Sequence, residues 1–201
     1  MKQLINQYKH TLSLKECDSI IEWIETVPLE PGRTGDGVNL KYKESLDKYV
    51  LFTDKNPVNE IIARALFEGI SKYKKSHPEL QLVGQWGVDT QYNLQKYLPG
   101  KGYYATHCEA NNLLSSPRMI AWMIYLNTIP LSGGTEFPIL KKKIKAEAGK
   151  LVIWPAYWTH MHTGIISQKY TKYIATGWFC WSSNTTQSWN QYFNSIEKYD
   201  K

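Results

Sequence analysis

Cysteine is scarce: the 201 residues hold three, Cys17, Cys108 and Cys180. An odd number at wide spacing excludes a disulfide framework and a C-x-x-C metal site, and it suits a reducing cytoplasm. Long apolar runs are missing too. None approaches the roughly 20 residues that a membrane span requires. The opening MKQLINQYKHTL lacks the apolar central block of a secretory leader, so export is not expected. Internal repeats, low-complexity tracts and linker-like stretches are absent, which favours one domain over residues 1–201. Histidine is limited to five positions, so few candidate ligands need to be weighed.

Aromatic residues are plentiful, with 8 Trp and 14 Tyr, which suit sheet cores and substrate grooves. The hydrophobic share of 42% and mean hydropathy of −0.45 fit a globular chain long enough to bury a core. The net charge of +6 is modest, and part of it sits in KKKIK (141–145), read as a solvated strand or turn. SLKECDSIIEWIETV reads as a helix, with Ser13 and Glu16 as a capping box and Ile20, Ile21, Ile24 and Val27 at helical spacing. NPVNEIIARALFEGISKYKKS reads as a second, with Asn56 as cap and Ile61, Ala65 and Ile70 on one side. Between them, the polar, glycine-containing segment 28–47 is the candidate substrate lid.

From Leu80 the pattern changes to about eight short strands rich in Val, Ile, Tyr, Trp and Thr, punctuated by Gly and Pro. RMIAWMIYLN is apolar on both strand faces, as a strand between two layers should be. The expected fold is α+β, mainly β: a jelly roll with the N-terminal helices packed on one outer face. It divides into a helical front of about 1–79, a jelly-roll core of about 80–181 and a C-terminal tail, 182–201.

The chemistry centres on HCE. In a strand, residues i and i+2 share a face, so His107 and Glu109 can grip one metal while Cys108 points away. One imidazole and one carboxylate are two thirds of the two-His-one-carboxylate triad that holds Fe(II) and leaves positions open. The missing histidine has to come from another strand. His10 and His77 lie in the helical half, which leaves His160 and His162 in WPAYWTHMHTGII.

The segments YLPGKGYYATHCE, MIYLN, SGGTEFP, GKLVIWP, HTG and KYIATGWF follow one another in a familiar order and spacing. In this the chain from about Gln91 to Trp181 resembles the catalytic core of 2-oxoglutarate and Fe(II)-dependent oxygenases of the prolyl 4-hydroxylase type. Its front, including KESLD (43–47), is similar to that of small bacterial and bacteriophage members. The resemblance implies a double-stranded β-helix, a dioxygenase activity, and Fe(II), 2-oxoglutarate and O2 as cofactors, with ascorbate supportive. It implies a cytoplasmic location, the host's if the gene is a phage's. It selects His162 over His160 through the H-x-G pattern and the ten-residue step to Lys172. His107, Glu109 and His162 would then be the metal ligands, and Lys172 the partner of the distal carboxylate of 2-oxoglutarate. A lysine whose strand face is shared by Ile174, Thr176 and Trp178 needs a counter-charge, and a bound dicarboxylate supplies it. Tyr97, Tyr125 and Thr176 match positions whose hydroxyls approach the cosubstrate. Tyr104 and Trp178 are read as packing, and Gly133 and Gly134 as a turn ahead of the next strand.

Glu109 departs from the usual Asp of such enzymes and sets its carboxylate one methylene further out. A carboxylate of either length implies hydroxylation and not halogenation, since halogenating relatives give that position to chloride. The resemblance implies a peptide substrate, a peptidyl proline first, and the lack of a long apolar run argues against a membrane partner. The same chemistry on a nucleic acid or a small molecule is a rival, although no clustered aromatic and basic insertion supports nucleic acid. A cupin-like site would place its glutamate after the H-x-H pair, and here it comes before. A non-catalytic, Trp-rich binding module is the remaining alternative.

Overall fold

The computed structural model describes residues 4–35 and 37–182. Residue 36 and the tail expected beyond residue 182 lie outside the described residues. Strand β1 (Asn6–Tyr8) leads into helix α1 (Leu14–Thr26). The capping box is present: Ser13 Oγ accepts from the Glu16 N–H, and the Glu16 carboxylate accepts from the Ser13 N–H at 2.8 Å. Such a cap is worth about 1 kcal/mol. Cys17, Ile20 and Ile24 form the buried stripe of α1.

Helix α2 spans Asn59–Ser76 and starts later than the sequence suggests. Asn56 caps the preceding turn instead, accepting from the N–H groups of Val58 and Asn59. The inward face of α2 is Ile62, Ala65, Leu66, Gly69, Ile70 and Tyr73, with Ile61 only half-buried. A Cβ at Gly69 would lie 2.1 Å from a Leu151 methyl, so this glycine sets how closely the helix approaches the sheet.

The strands after Leu80 are β4 (Trp86–Val88), β5 (Gln91–Tyr97), β6 (Arg118–Tyr125), β7 (Thr135–Phe137), β8 (Lys142–Ile144), β9 (Lys150–Pro155), β10 (Thr163–Gly164) and β11 (Lys172–Trp181). The front also contributes sheet: β2 (Glu30–Pro31) and β3 (Leu46–Leu51) extend one edge, and β1 the other. The main sheet runs β1-β9-β6-β11-β5-β3-β2, with β4 also on β11, and a small sheet runs β10-β7-β8. Every pairing is antiparallel. This is a jelly roll of two unequal sheets.

Strand alternation sorts the core into two parts. Ile120, Trp122 and Ile124 of β6, with Leu151, Ile153 and Ala175, pack with the helices in one cluster. Ala121, Met123 and Tyr125, with Val152, Trp154 and Ile174, pack with Phe137 and Ile144 of the small sheet in another. The central strand is apolar on both faces because each face meets a different layer. Gly133, at φ +69°, makes the turn before β7, a conformation that favours glycine.

Candidate active site

A cavity of ≈ 290 Å³ opens between the two sheets. Much of its wall on the main sheet is made by alternate residues of two strands, Gln91 to Tyr97 on β5 and Lys172 to Trp178 on β11. The register sets them side by side: Lys172 opposes Tyr97, Ile174 opposes Gln95 and Thr176 opposes Asn93.

His107, Glu109 and His162 converge on this cavity, with one potential ligand atom from each within 4.8 Å of the others. The segment carrying HCE is not the regular strand that the spacing suggests. His107 and His162 form an isolated bridge, in which the His107 N–H donates to the His162 carbonyl at 2.9 Å and the reverse bond is 2.8 Å. The Glu109 and Ala110 N–H groups both donate to the Ala156 carbonyl. The backbone pairing therefore couples two distant stretches of chain residue to residue.

Both histidines are oriented the same way. His107 Nδ1 lies 3.0 Å from the Ala105 carbonyl, and His162 Nδ1 lies 3.0 Å from the His160 carbonyl. A carbonyl can only accept, so each Nδ1 carries the proton and each Nε2 keeps a lone pair for a metal. The Tyr103 ring stacks on His107 at 3.7 Å, and Phe137 and Trp154 flank His162. Glu109 Oε1 sits 3.2 Å from His162 Nε2 and 3.8 Å from His107 Nε2.

Burial and the neighbouring His162 push the His107 pKa down to about 4, so its ring is neutral at pH 7. Burial works to raise the Glu109 pKa, but the attraction of His162 and His107 when either ring is protonated, together with the Trp178 N–H, outweighs it and holds the carboxyl at about 2. Two imidazole nitrogens and one carboxylate are a donor set that suits a divalent first-row metal.

Lys172 is buried at 7% exposure, and burial lowers its pKa to about 8. Its ammonium lies 4.7 Å from the centre of the Tyr97 ring, and no carboxylate among the described residues pairs with it. The Tyr97 hydroxyl donates to Gln95 Oε1 at 2.7 Å. Thr176 borders the cavity, with its hydroxyl donated to the Trp122 carbonyl at 2.9 Å. The Tyr125 hydroxyl meets Thr135 Oγ1 at 2.7 Å, and of the two it is Thr135 that borders the cavity.

His160 closes a short 3-10 turn, Trp158–His160, and does not share a strand face with His162. Its ring contacts Thr159, and its carbonyl orients His162. Tyr104 contacts Glu44.

Three features of the site are not anticipated by the sequence. Trp178 Nε1–H donates to Glu109 Oε2 at 2.9 Å, so this indole does more than pack. The Arg118 guanidinium lies over the Trp178 ring at 3.5 Å. Lys43 and Asp47, from KESLD, form a buried ion pair at 2.6 Å beside the cavity, and Ser45 and Asn93 also donate to Asp47. Only the period-2 position of Trp178 on the face of Lys172 hints at the first of these. Arg33, Thr34 and Gly35, from the segment read as a lid, border the same cavity. No helix among the described residues is long and apolar enough to cross a membrane.

No curated protein sequence matches this chain. Among solved structures, it is similar to a viral collagen prolyl hydroxylase from Paramecium Bursaria Chlorella virus-1 in complex with 2OG, at 20% identity and a TM-score of 0.68, covering 88% of this chain and 96% of that one. It is similar to a prolyl-4-hydroxylase of Pseudomonas putida at 14% identity and a TM-score of 0.66, over 88% and 92% of the two chains. A third similar structure is a prolyl hydroxylase from Trichoplax adhaerens in complex with a hypoxia inducible factor peptide fragment, at 14% identity and a TM-score of 0.68, over 89% and 84%. At these identities the likeness is one of fold. Residues 92–180 match the family model described as the 2OG-Fe(II) oxygenase superfamily, a stretch holding all three converging side chains and Lys172. Over those residues the chain is similar to the 2OG-Fe(II) oxygenase superfamily.

Proposed function

We propose that this dioxygenase hydroxylates an unactivated C–H of a polypeptide, a prolyl residue being the first candidate. The observation that carries the reading is the pairing in one cavity of the His107–Glu109–His162 cluster with a buried ammonium that has no carboxylate of its own. His107, Glu109 and His162 would hold Fe(II), and Lys172 would bind the distal carboxylate of 2-oxoglutarate. When bound, the metal and cosubstrate supply the oxidising chemistry, and the protein supplies orientation and a shielded pocket. Tyr97 holds the lysine from below through its ring, and Ile174 and Trp154 add apolar wall.

A peptide substrate is supported by amide side chains that border the cavity, Gln91, Asn111 and Asn112, which suit the amide groups of a main chain. The prolyl hydroxylase fold of the neighbours points the same way, by analogy. Segment 28–47 would border the entering peptide through Arg33 and Thr34.

The test is succinate formation by the purified protein given Fe(II), ascorbate and 2-oxoglutarate. Proline-containing peptides should stimulate it and gain the mass of one oxygen atom. Stimulation by oligonucleotides alone would move the substrate to nucleic acid, and no succinate under any condition would remove the oxygenase reading.

A further inference from the structure

Glu109 is a flexible ligand. It has one more rotatable bond than an aspartate, so more rotamers must be frozen before its carboxylate faces the histidines. Its backbone is pinned at both ends, by the N–H bond to the Ala156 carbonyl and by Arg118 Nη1, which donates to the Glu109 carbonyl at 3.1 Å. Its carboxylate is divided between two tasks. Oε1 faces His107 and His162, while Oε2 accepts from the Trp178 indole at 2.9 Å. Trp178 is held in turn by its strand and by the Arg118 guanidinium stacked on its ring. A register irregularity between Phe179 and Cys180 sets Arg118 opposite Cys180, just past the tryptophan; such bulges re-aim side chains.

We propose that Trp178, braced by Arg118, is a positioning residue that fixes the glutamate rotamer and limits it to one oxygen towards the metal. This is how the chain makes the longer carboxylate a workable ligand. The inference rests on the reading of His107, Glu109 and His162 as a metal site. A tryptophan that only walled the cavity would need no N–H, and phenylalanine would replace it without loss. In an aspartate the carboxylate would draw back from the indole by about 1.5 Å, one C–C bond length. The indole N–H should therefore matter for glutamate and not for aspartate.

The experiment is Mn(II) binding followed by electron paramagnetic resonance, for the full chain, Trp178→Phe, Glu109→Asp and the double variant. Trp178→Phe should weaken Mn(II) binding about tenfold, the lower end for loss of a group that orients a ligand. The same change in the Glu109→Asp background should alter affinity less than about threefold. Should Trp178→Phe fail to fold, Arg118→Lys replaces it. The lysine loses the planar stack, and its loss of affinity should again be larger with the native glutamate than in the Glu109→Asp background. Unchanged affinity in a folded Trp178→Phe protein would overturn the inference, as would equal losses in the two backgrounds. Failure of the unaltered chain to bind Mn(II), or binding that survives His162→Ala, would overturn the metal site itself, which is a separate result.

Discussion

The two faces of the main sheet are built from the same strands and serve different ends. On β5, Tyr92 and Leu94 turn to the helices, while Asn93, Gln95 and Tyr97 turn to the cavity. On β11, Ala175 and Phe179 join the helix-side core, while Lys172, Thr176 and Trp178 border the cavity. One face is closed by apolar packing and contributes stability. The other retains a lysine, amides and hydroxyls that a purely structural face would not keep, because each costs free energy to bury. Alternation along two adjacent strands thus separates scaffold from chemistry one residue at a time.

The comparison breaks most sharply at the cluster. His107→Ala or His162→Ala should abolish metal binding and 2-oxoglutarate turnover, whereas His160→Ala should keep substantial activity because the backbone carbonyl that orients His162 remains. Metal titration and succinate assays check both, and turnover by His162→Ala would contradict the assignment.

On the other face the expected effect is on the fold. Ile124→Ala, at a position that is 0% exposed in the helix-side core, should cost about 2–5 kcal/mol of stability, the range for a large-to-small core change. A urea midpoint measures it, and metal affinity should stay within about twofold, as expected of sites that do not share partners. A large loss of metal affinity from this change would mean the two faces are not separable.

What the sequence reveals follows the range of the interactions involved. The Ser13–Glu16 capping box and the buried stripe of α1 are legible because they are local. The H-x-E pair and Lys172 are legible through the order and spacing of the segments that carry the resemblance, although the HCE stretch pairs only through an isolated bridge. The edge strands are not: β1 is defined by pairing with Leu151–Ile153 on β9, far along the chain. In β3 the buried residues are Asp47 and Val50, and Asp47 is stabilised by Lys43, Ser45 and Asn93, so an apolar count does not mark the strand. The His160–His162 stretch reads as strand by composition but turns, since the chain must leave β9 and bring His162 alongside His107. The Trp178–Glu109 bond needs both backbones in place before it can be seen.

Lys172 tests the central claim, that the cavity face binds 2-oxoglutarate beside the metal. Its pKa falls from 10.5 to about 8, so burying the charge costs on the order of 3 kcal/mol without an anionic partner. The unfolded chain binds the extra proton between those two values. That cost is therefore fully present below pH 8 and is relieved as pH rises towards 10.5. Lys172→Met should stabilise the cofactor-free protein at pH 7 and leave metal binding intact. In the unaltered protein, 2-oxoglutarate affinity should fall as pH rises through about 8, where the free lysine loses its proton. The direct measurement is an anaerobic titration of the Fe(II)-loaded protein with 2-oxoglutarate at pH 7, following the metal-to-ligand charge-transfer absorbance. Lys172→Met should require about ten- to a hundredfold more 2-oxoglutarate, the worth of one charged hydrogen bond. Unchanged 2-oxoglutarate affinity in a folded Lys172→Met protein would contradict the account.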